Sequence, residues 1–170
     1  MQAPWMKTAA AELGIKEIKG AKKNEPRILE YLKTVGKFLT DETAWCSAFA
    51  NWVMAQSGHN GTRKANARSW LNWGYPIPTP TYGCIVVFKR GKSSWQGHVA
   101  FYVESEGTNL KVLGGNQGDA VSVKPYPKSR VLGYRWPVPV GQVITRDSRG
   151  RVVSSNYIEG MTITASPTPK

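Results

Sequence analysis

This chain of 170 residues is poor in cysteine, in histidine and in acid. It has two cysteines, Cys46 and Cys84, and two histidines, His59 and His98. Two cysteines exclude a disulfide framework, and one bridge is the most they could make. No His and Cys spacing matches a zinc site, so no metal is expected. No apolar run reaches the length of a membrane-spanning helix. Lys7 and Glu12 interrupt the N-terminal segment where a secretory signal would need its apolar region. The expectation is a protein made in the cytoplasm without a signal peptide, reaching any outside target by another route. Acidic residues number 11 against 23 Lys and Arg, a formal net charge of +12.

That charge favours an anionic partner: nucleic acid, a membrane surface or bacterial cell wall. The basic residues are spread along the chain rather than gathered in one tract, and a merely solvated basic surface is the plain alternative. No basic recognition helix or nucleic-acid-binding motif is present, so no nucleic-acid partner is expected. Hydrophobic residues make up 41% and seven are tryptophans, enough for a real core. The length fits one domain with a short appendage.

Helical periodicity dominates the first half. Residues 4–14 read as one helix. A second runs from an Asn24 cap to about Leu39. A third runs from a Thr43 cap to about Gln56, with Trp45, Phe49, Trp52 and Val53 as its buried stripe. A short fourth covers Ala67 to Trp73. Beyond Pro76, Pro78 and Pro80 the pattern turns to strands: Cys84–Phe88, His98–Glu104, Leu110–Leu113, Val121–Lys124 and Val131–Trp136. Helices first and antiparallel strands second define an α+β fold, helices packed on an antiparallel sheet of about five strands. Residues 1–138 read as the main domain. Residues 139–170 read as a short extension, with a hairpin over 142–153 and a disordered end from about residue 165.

The run Trp45-Cys46-Ser47-Ala48-Phe49 places a cysteine in the first turn of the third helix, at its third position if Thr43 is the cap. Unpaired N–H groups and the helix dipole there favour a thiolate, and the same N–H groups can hold an oxyanion. A buried structural thiol is the alternative. His98, on the strand Gly97-His98-Val99-Ala100-Phe101-Tyr102, is the natural base. His59 lies in a polar loop and reads as exposed. Asn116, just past the third strand, is the first choice to orient the imidazole. Gln117 and Asp119 are its rivals, and a plain turn is the alternative for all three.

These stretches resemble the CHAP amidohydrolase/peptidase family, a papain-like group related to NlpC-type cell-wall peptidases. So do Ala67-Arg68-Ser69-Trp70-Leu71-Asn72-Trp73-Gly74, Gly83-Cys84-Ile85-Val86-Val87-Phe88, Leu113-Gly114-Gly115-Asn116-Gln117 and Gly133-Tyr134-Arg135-Trp136-Pro137. The resemblance spans roughly residues 3–138. It implies a Cys46 nucleophile, a His98 base and a polar third residue, best matched by Asn116, acting on bacterial peptidoglycan. Two departures stand out. Many CHAP domains have a glutamate where this chain has Gly114, and commonly an aspartate where it has Cys84, which reads as a core thiol. Some relatives bind calcium, but no acidic loop suggests a site, and no cofactor is expected.

Trp45, Trp73, Tyr102 and Gln117 are expected at the substrate groove, with core packing the alternative, favoured for Trp70. The implied activity is a cysteine-dependent peptidoglycan hydrolase, an N-acetylmuramoyl-L-alanine amidase or an endopeptidase, acting as a monomer. Its first setting is a phage or prophage lysin delivered to the wall with a holin. The alternatives are an interbacterial effector, delivered by a secretion system and held by an immunity protein, and a non-catalytic wall-binding module.

Overall fold

The computed structural model describes residues 2–18, 25–36, 44–138, 142–146, 148–149, 152–159 and 162–166. Helix α1 spans Trp5–Ala10, shorter than its apolar pattern suggests. Helix α2 spans Pro26–Lys33 and starts on Glu25, whose carboxylate accepts the Arg27 N–H. Pro26 at the first helical position fixes that start, because its missing N–H has no helical partner to lose. Asn24, the expected cap, lies outside the described residues, as do residues 37–39 at the expected end.

Helix α3 spans Cys46–Gln56 and ends at Ser57. Every residue from Cys46 to Met54 is buried, so the expected apolar stripe is in fact a whole circumference. Burial on all sides follows from position, since α3 packs on α1, on α2 and on the sheet. Around it Tyr31 stacks on Trp45 at 5.9 Å and meets Phe49 and Trp52 edge-on. The buried Glu12 carboxylate takes the Tyr31 hydroxyl at 2.8 Å and the Arg27 guanidinium at 2.9 Å, which offsets its desolvation. A 3₁₀ segment over Ala67–Asn72 stands where the fourth helix was expected.

The main sheet has six strands: β1 (Tyr75–Ile77), β2 (Ile85–Lys89), β3 (Gly97–Glu106), β4 (Asn109–Gly114), β5 (Ser122–Pro127) and β6 (Val131–Trp136). Their order is β1-β6-β2-β3-β4-β5, every pair antiparallel. The sixth strand beyond the expected five is β1, a short edge segment carrying Pro76, which only an edge tolerates. Ile85, Val87, Val99, Phe101 and Leu113 join the helices in one core. Val86, Phe88, Ala100, Leu110 and Val112 form a second core with Cys84 on the opposite face. Burial on both faces explains why β2 reads as an unbroken apolar run rather than an alternating one.

A separate three-stranded sheet follows: β7 (Gln142–Arg146), β8 (Val152–Glu159) and β9 (Thr162–Ser166). The expected hairpin is thus extended by a third strand. Of the end expected to be disordered, residues 165 and 166 belong to β9, and residues 167–170 lie outside the described residues.

The join between sheet and helix is tight at Gly115. A Cβ there would lie 2.6 Å from the Phe49 Cβ and 2.7 Å from the Trp45 ring. Gly115→Ala should therefore lower unfolding stability by about 1–3 kcal/mol. Urea denaturation measures this, and an unchanged midpoint would contradict the packing.

Candidate active site

The cysteine stands at the head of α3. Trp45 is the N-cap residue, so Cys46 occupies the first helical position rather than the third; Thr43 lies outside the described residues. The first backbone bond of the helix runs from the Phe49 N–H to the Trp45 carbonyl. The N–H groups of Cys46, Ser47 and Ala48 therefore have no helix carbonyl to bond. The start of α3 is fixed on both sides. The Trp45 Nε1–H donates to Glu17 at 2.6 Å. The Ser47 hydroxyl donates to the Lys64 carbonyl at 2.6 Å and accepts from Trp70 Nε1 at 2.9 Å.

His98 is the second residue of β3, opposite Phe88 in β2. Its Nε2 lies 2.8 Å from Gln117 Oε1. The Gln117 amide has only one workable orientation, because its NH₂ donates to the carbonyls of Val112 at 3.2 Å and Ser122 at 2.8 Å. Its oxygen must then face the imidazole, and an amide oxygen can only accept. The proton of that bond therefore sits on His98 Nε2, leaving Nδ1 for the hydrogen bond with Cys46.

Burial alone would push the Cys46 thiol up. The hydrogen bond and charge of His98, with the N–H groups of Val99 and Ser47, outweigh it and hold the thiol below its ordinary value. Burial would lower His98, but the bonds and charge of Cys46 and the bond to Gln117 raise it. Arg90 opposes that rise. Both shifts favour a thiolate–imidazolium pair. Cys84 has no such neighbour: burial pushes it up to about 12. Neither cysteine is in a disulfide.

The hydrogen bond to His98 thus comes from Gln117, not from Asn116. The turn Gly115–Val121 decides this. Asn116 and Asp119 adopt left-handed conformations with φ of 57° and 59°, and the Gln117 N–H closes a turn on the Ala120 carbonyl. Gln117 is directed inward at 2% exposure, while Asn116 lines the cleft outside. Asp119 presents its carbonyl to the Glu17 N–H. A Cβ on Gly114 would lie 2.5 Å from Gln117 Oε1 and 2.9 Å from the Ala100 Cβ. The bare Gly114 is what lets the Gln117 amide lie beside the histidine.

An open cleft of about 280 Å³ lies over the pair, lined by Cys46, His98, Asn66, Gln96 and Asn116, with Arg90, Trp95, Tyr126 and Arg130 around them. Of the residues expected at the groove, Gln117 supports His98 from beneath. Trp45 is fully buried in the core. Trp73 donates to the Asn60 carbonyl at 2.7 Å and packs edge-on against Trp70. Tyr102 bonds Ser105 at 2.8 Å and packs on the second core. None of these three lines the cleft. His59 is half-buried rather than exposed, edge-on to Trp5 at 5.6 Å, and is also absent from the cleft lining.

The aromatic residues that do line the cleft, Trp95 and Tyr126, escaped the sequence reading. Tyr126 stacks on His98 at 4.9 Å and on Phe88 at 5.1 Å. Pro125 and Pro127 hide its strand, although Tyr126 stands two residues beyond the expected end of that strand. Trp95 is 68% exposed in the β2–β3 turn, where exposure is itself the signal.

Among the described residues no group of three or more His, Cys, Asp and Glu could hold a metal ion, and no helix is long and apolar enough to cross a membrane. Residues 39–116, which hold Cys46, His98 and Asn116, match the family described as the CHAP domain. In fold the chain is similar to the crystal structure of a wild-type endolysin, LysIME-EF1. The TM-score is 0.53 at 14% identity, covering 96% of this chain and 78% of that one. No curated protein matches the sequence.

The pair predicts its own reactivity. Iodoacetamide should alkylate Cys46 at pH values below the ordinary thiol range, because its thiol is lowered, and should leave Cys84 untouched. His98→Ala should move the rate profile of Cys46 to alkaline pH. Peptide mass mapping reads both sites. Equal rates at Cys46 and Cys84 would contradict the geometry.

Proposed function

We propose that the protein is a cysteine-dependent peptidoglycan hydrolase that cleaves an amide bond in or at the stem peptide of bacterial wall. The observation that carries this reading is the Cys46–His98–Gln117 chain of hydrogen bonds under an open cleft. The CHAP match over residues 39–116 and the likeness to an endolysin support it. The reading does not extend to a separate nucleic-acid function, for the cleft chemistry accounts for the site without one.

The reaction is acyl transfer in two halves. The Cys46 thiolate attacks the amide carbon, and unpaired N–H groups at the start of α3 hold the oxyanion. The His98 imidazolium gives its Nδ1 proton to the leaving amine as the C–N bond breaks, leaving a thioester. Neutral His98 then takes a proton from water, whose oxygen attacks the thioester. The acid is released and the thiolate–imidazolium pair returns. Throughout, Gln117 keeps the Nε2 proton in place and so keeps Nδ1 aimed at the sulfur. It is a positioning residue.

Activity should be bell-shaped in pH. It falls at low pH as the thiolate is protonated, below the ordinary thiol range, and at high pH as His98 loses its raised proton. The setting that best suits a basic wall hydrolase of this fold is a lysin made in the cytoplasm and released to the wall. An effector with an immunity partner uses the same chemistry, and the genes beside this one distinguish the two.

The test is mass spectrometry of purified peptidoglycan digested by the wild type, Cys46→Ala and Gln117→Ala. Wild type should release products whose masses name the bond: free stem peptides for an amidase, shortened or uncrosslinked muropeptides for an endopeptidase. Cys46→Ala should release none. Gln117→Ala, losing a hydrogen bond to a charged ring, should be slower by roughly 10- to 100-fold. Products from Cys46→Ala, or none from the wild type on both diaminopimelate and lysine walls, would overturn the proposal.

A further inference from the structure

The charge that the described residues bring to the cleft is of one sign. Arg90 and Arg130 line it, and among the described residues no Asp or Glu does. Among the described residues neither arginine has a carboxylate partner, although the acids Glu12, Glu30, Glu104 and Glu106 are paired elsewhere. Two guanidinium groups at one cleft, with no carboxylate partner among the described residues, favour an anion there.

Arg130 is also held in place. Arg130 donates from Nε and Nη2 to the Lys89 carbonyl at 3.1 and 3.0 Å, which leaves Nη1 unengaged by that contact. Its guanidinium lies 5.8 Å from the centre of the Tyr126 ring, and that ring stacks on His98. Arg90 follows directly on Lys89 at the end of β2, and its charge is felt by both His98 and Tyr126. Trp95, also in the cleft lining, is anchored in its backbone. Arg68 donates to the carbonyls of Gln96 at 2.8 Å and Ser93 at 2.7 Å, while the Ser93 hydroxyl accepts the Trp95 and Gln96 N–H groups. Aromatic rings and a cationic edge in one cleft lining with Cys46 make a site for a substrate with a flat backbone and a nearby negative charge.

Resting on the hydrolase reading above, we propose that Arg90 and Arg130 clamp a free carboxylate of the substrate peptide close to the scissile amide, while Trp95 and Tyr126 flank its backbone. The enzyme then discriminates between stem peptides whose carboxylates are free and those whose carboxylates are amidated. A carboxylate fits the site better than a phosphodiester because the thiolate needs an amide carbonyl within the same short ligand. Stem peptides carry both groups within a few bonds of each other.

The experiment uses two synthetic peptides, N-acetyl-L-alanyl-γ-D-glutamyl-L-lysyl-D-alanine with every carboxylate free and the same peptide with every carboxylate converted to carboxamide. Binding to the intact Cys46→Ala chain is measured by calorimetry. Hydrolysis of walls with free and with amidated stem peptides is measured on the wild type. The free acid should bind about 10- to 100-fold more tightly than the amide. Arg90→Gln should remove most of that preference, whereas Lys7→Gln, an exposed charge on α1 away from the cleft, should leave it intact. That control separates the clamp from the general pull of a +12 chain. Equal binding of acid and amide, or a preference that Arg90→Gln does not reduce, would overturn the clamp even if both walls are digested. Digestion of neither wall, with the acid preference intact, would overturn the hydrolase reading and leave the anion site standing.

Discussion

The Cys46–His98 arrangement depends on one amide. Gln117 donates both N–H groups of its side chain to backbone carbonyls and turns its oxygen to His98. Those three bonds leave the imidazole one place for its fixed proton and one nitrogen for the sulfur. A carboxylate in this position would do the same for His98, but its second oxygen would face two carbonyls with no hydrogen between them. The neutral amide is thus matched to its pocket. Among the described residues the thiol of Cys46 is what raises His98 most, and His98 in turn lowers Cys46, which ties the two ionisations together.

The rest of the fold holds that amide and the cysteine in register. Gly114, lacking a Cβ, gives Gln117 its space. The segment Gly14–Glu17 runs along the turn that bears Gln117, bonding Val121 and Asp119 through the backbone, while the Glu17 carboxylate takes the Trp45 indole. One short piece of chain therefore ties the Gln117 turn to the residue that caps the Cys46 helix. On the other side Ser47 anchors α3 to the loop at Lys64 and to Trp70, next to cleft residues Asn66 and Ala67. The Trp-Cys-Ser run and the Ala-Arg-Ser-Trp run, separated by nineteen residues of chain, meet in these bonds.

Much of this was legible in the sequence. A cysteine opening an apolar helix and a histidine on a strand are read from periodicity, and with two histidines in the chain the choice of base was narrow. The order of helices and strands followed from where the periodicity changes. What could not be read was direction within a turn. Asn116 and Gln117 are neighbours, and a left-handed backbone at Asn116 decides which of them enters the pocket. The missing side chain at Gly114 was the available clue, since an empty position on the strand invites a long side chain from the adjoining turn. Aromatic residues posed the opposite difficulty. Trp45 and Tyr102 stand beside the motifs but face the cores, because alternation and helical pitch set their directions, while Tyr126 reaches the histidine from a strand disguised by prolines.

The measurement that tests this account most directly is ¹⁵N NMR of the imidazole rings in the wild type and in Cys46→Ala. His59 is the only other histidine, so two sets of signals suffice. At neutral pH the wild-type His98 ring should be protonated on both nitrogens, its titration shifted upward by the thiolate. Without the sulfur it should become neutral and keep its proton on Nε2, facing Gln117. A neutral ring in the wild type at neutral pH, or a proton on Nδ1 in Cys46→Ala, would contradict the account.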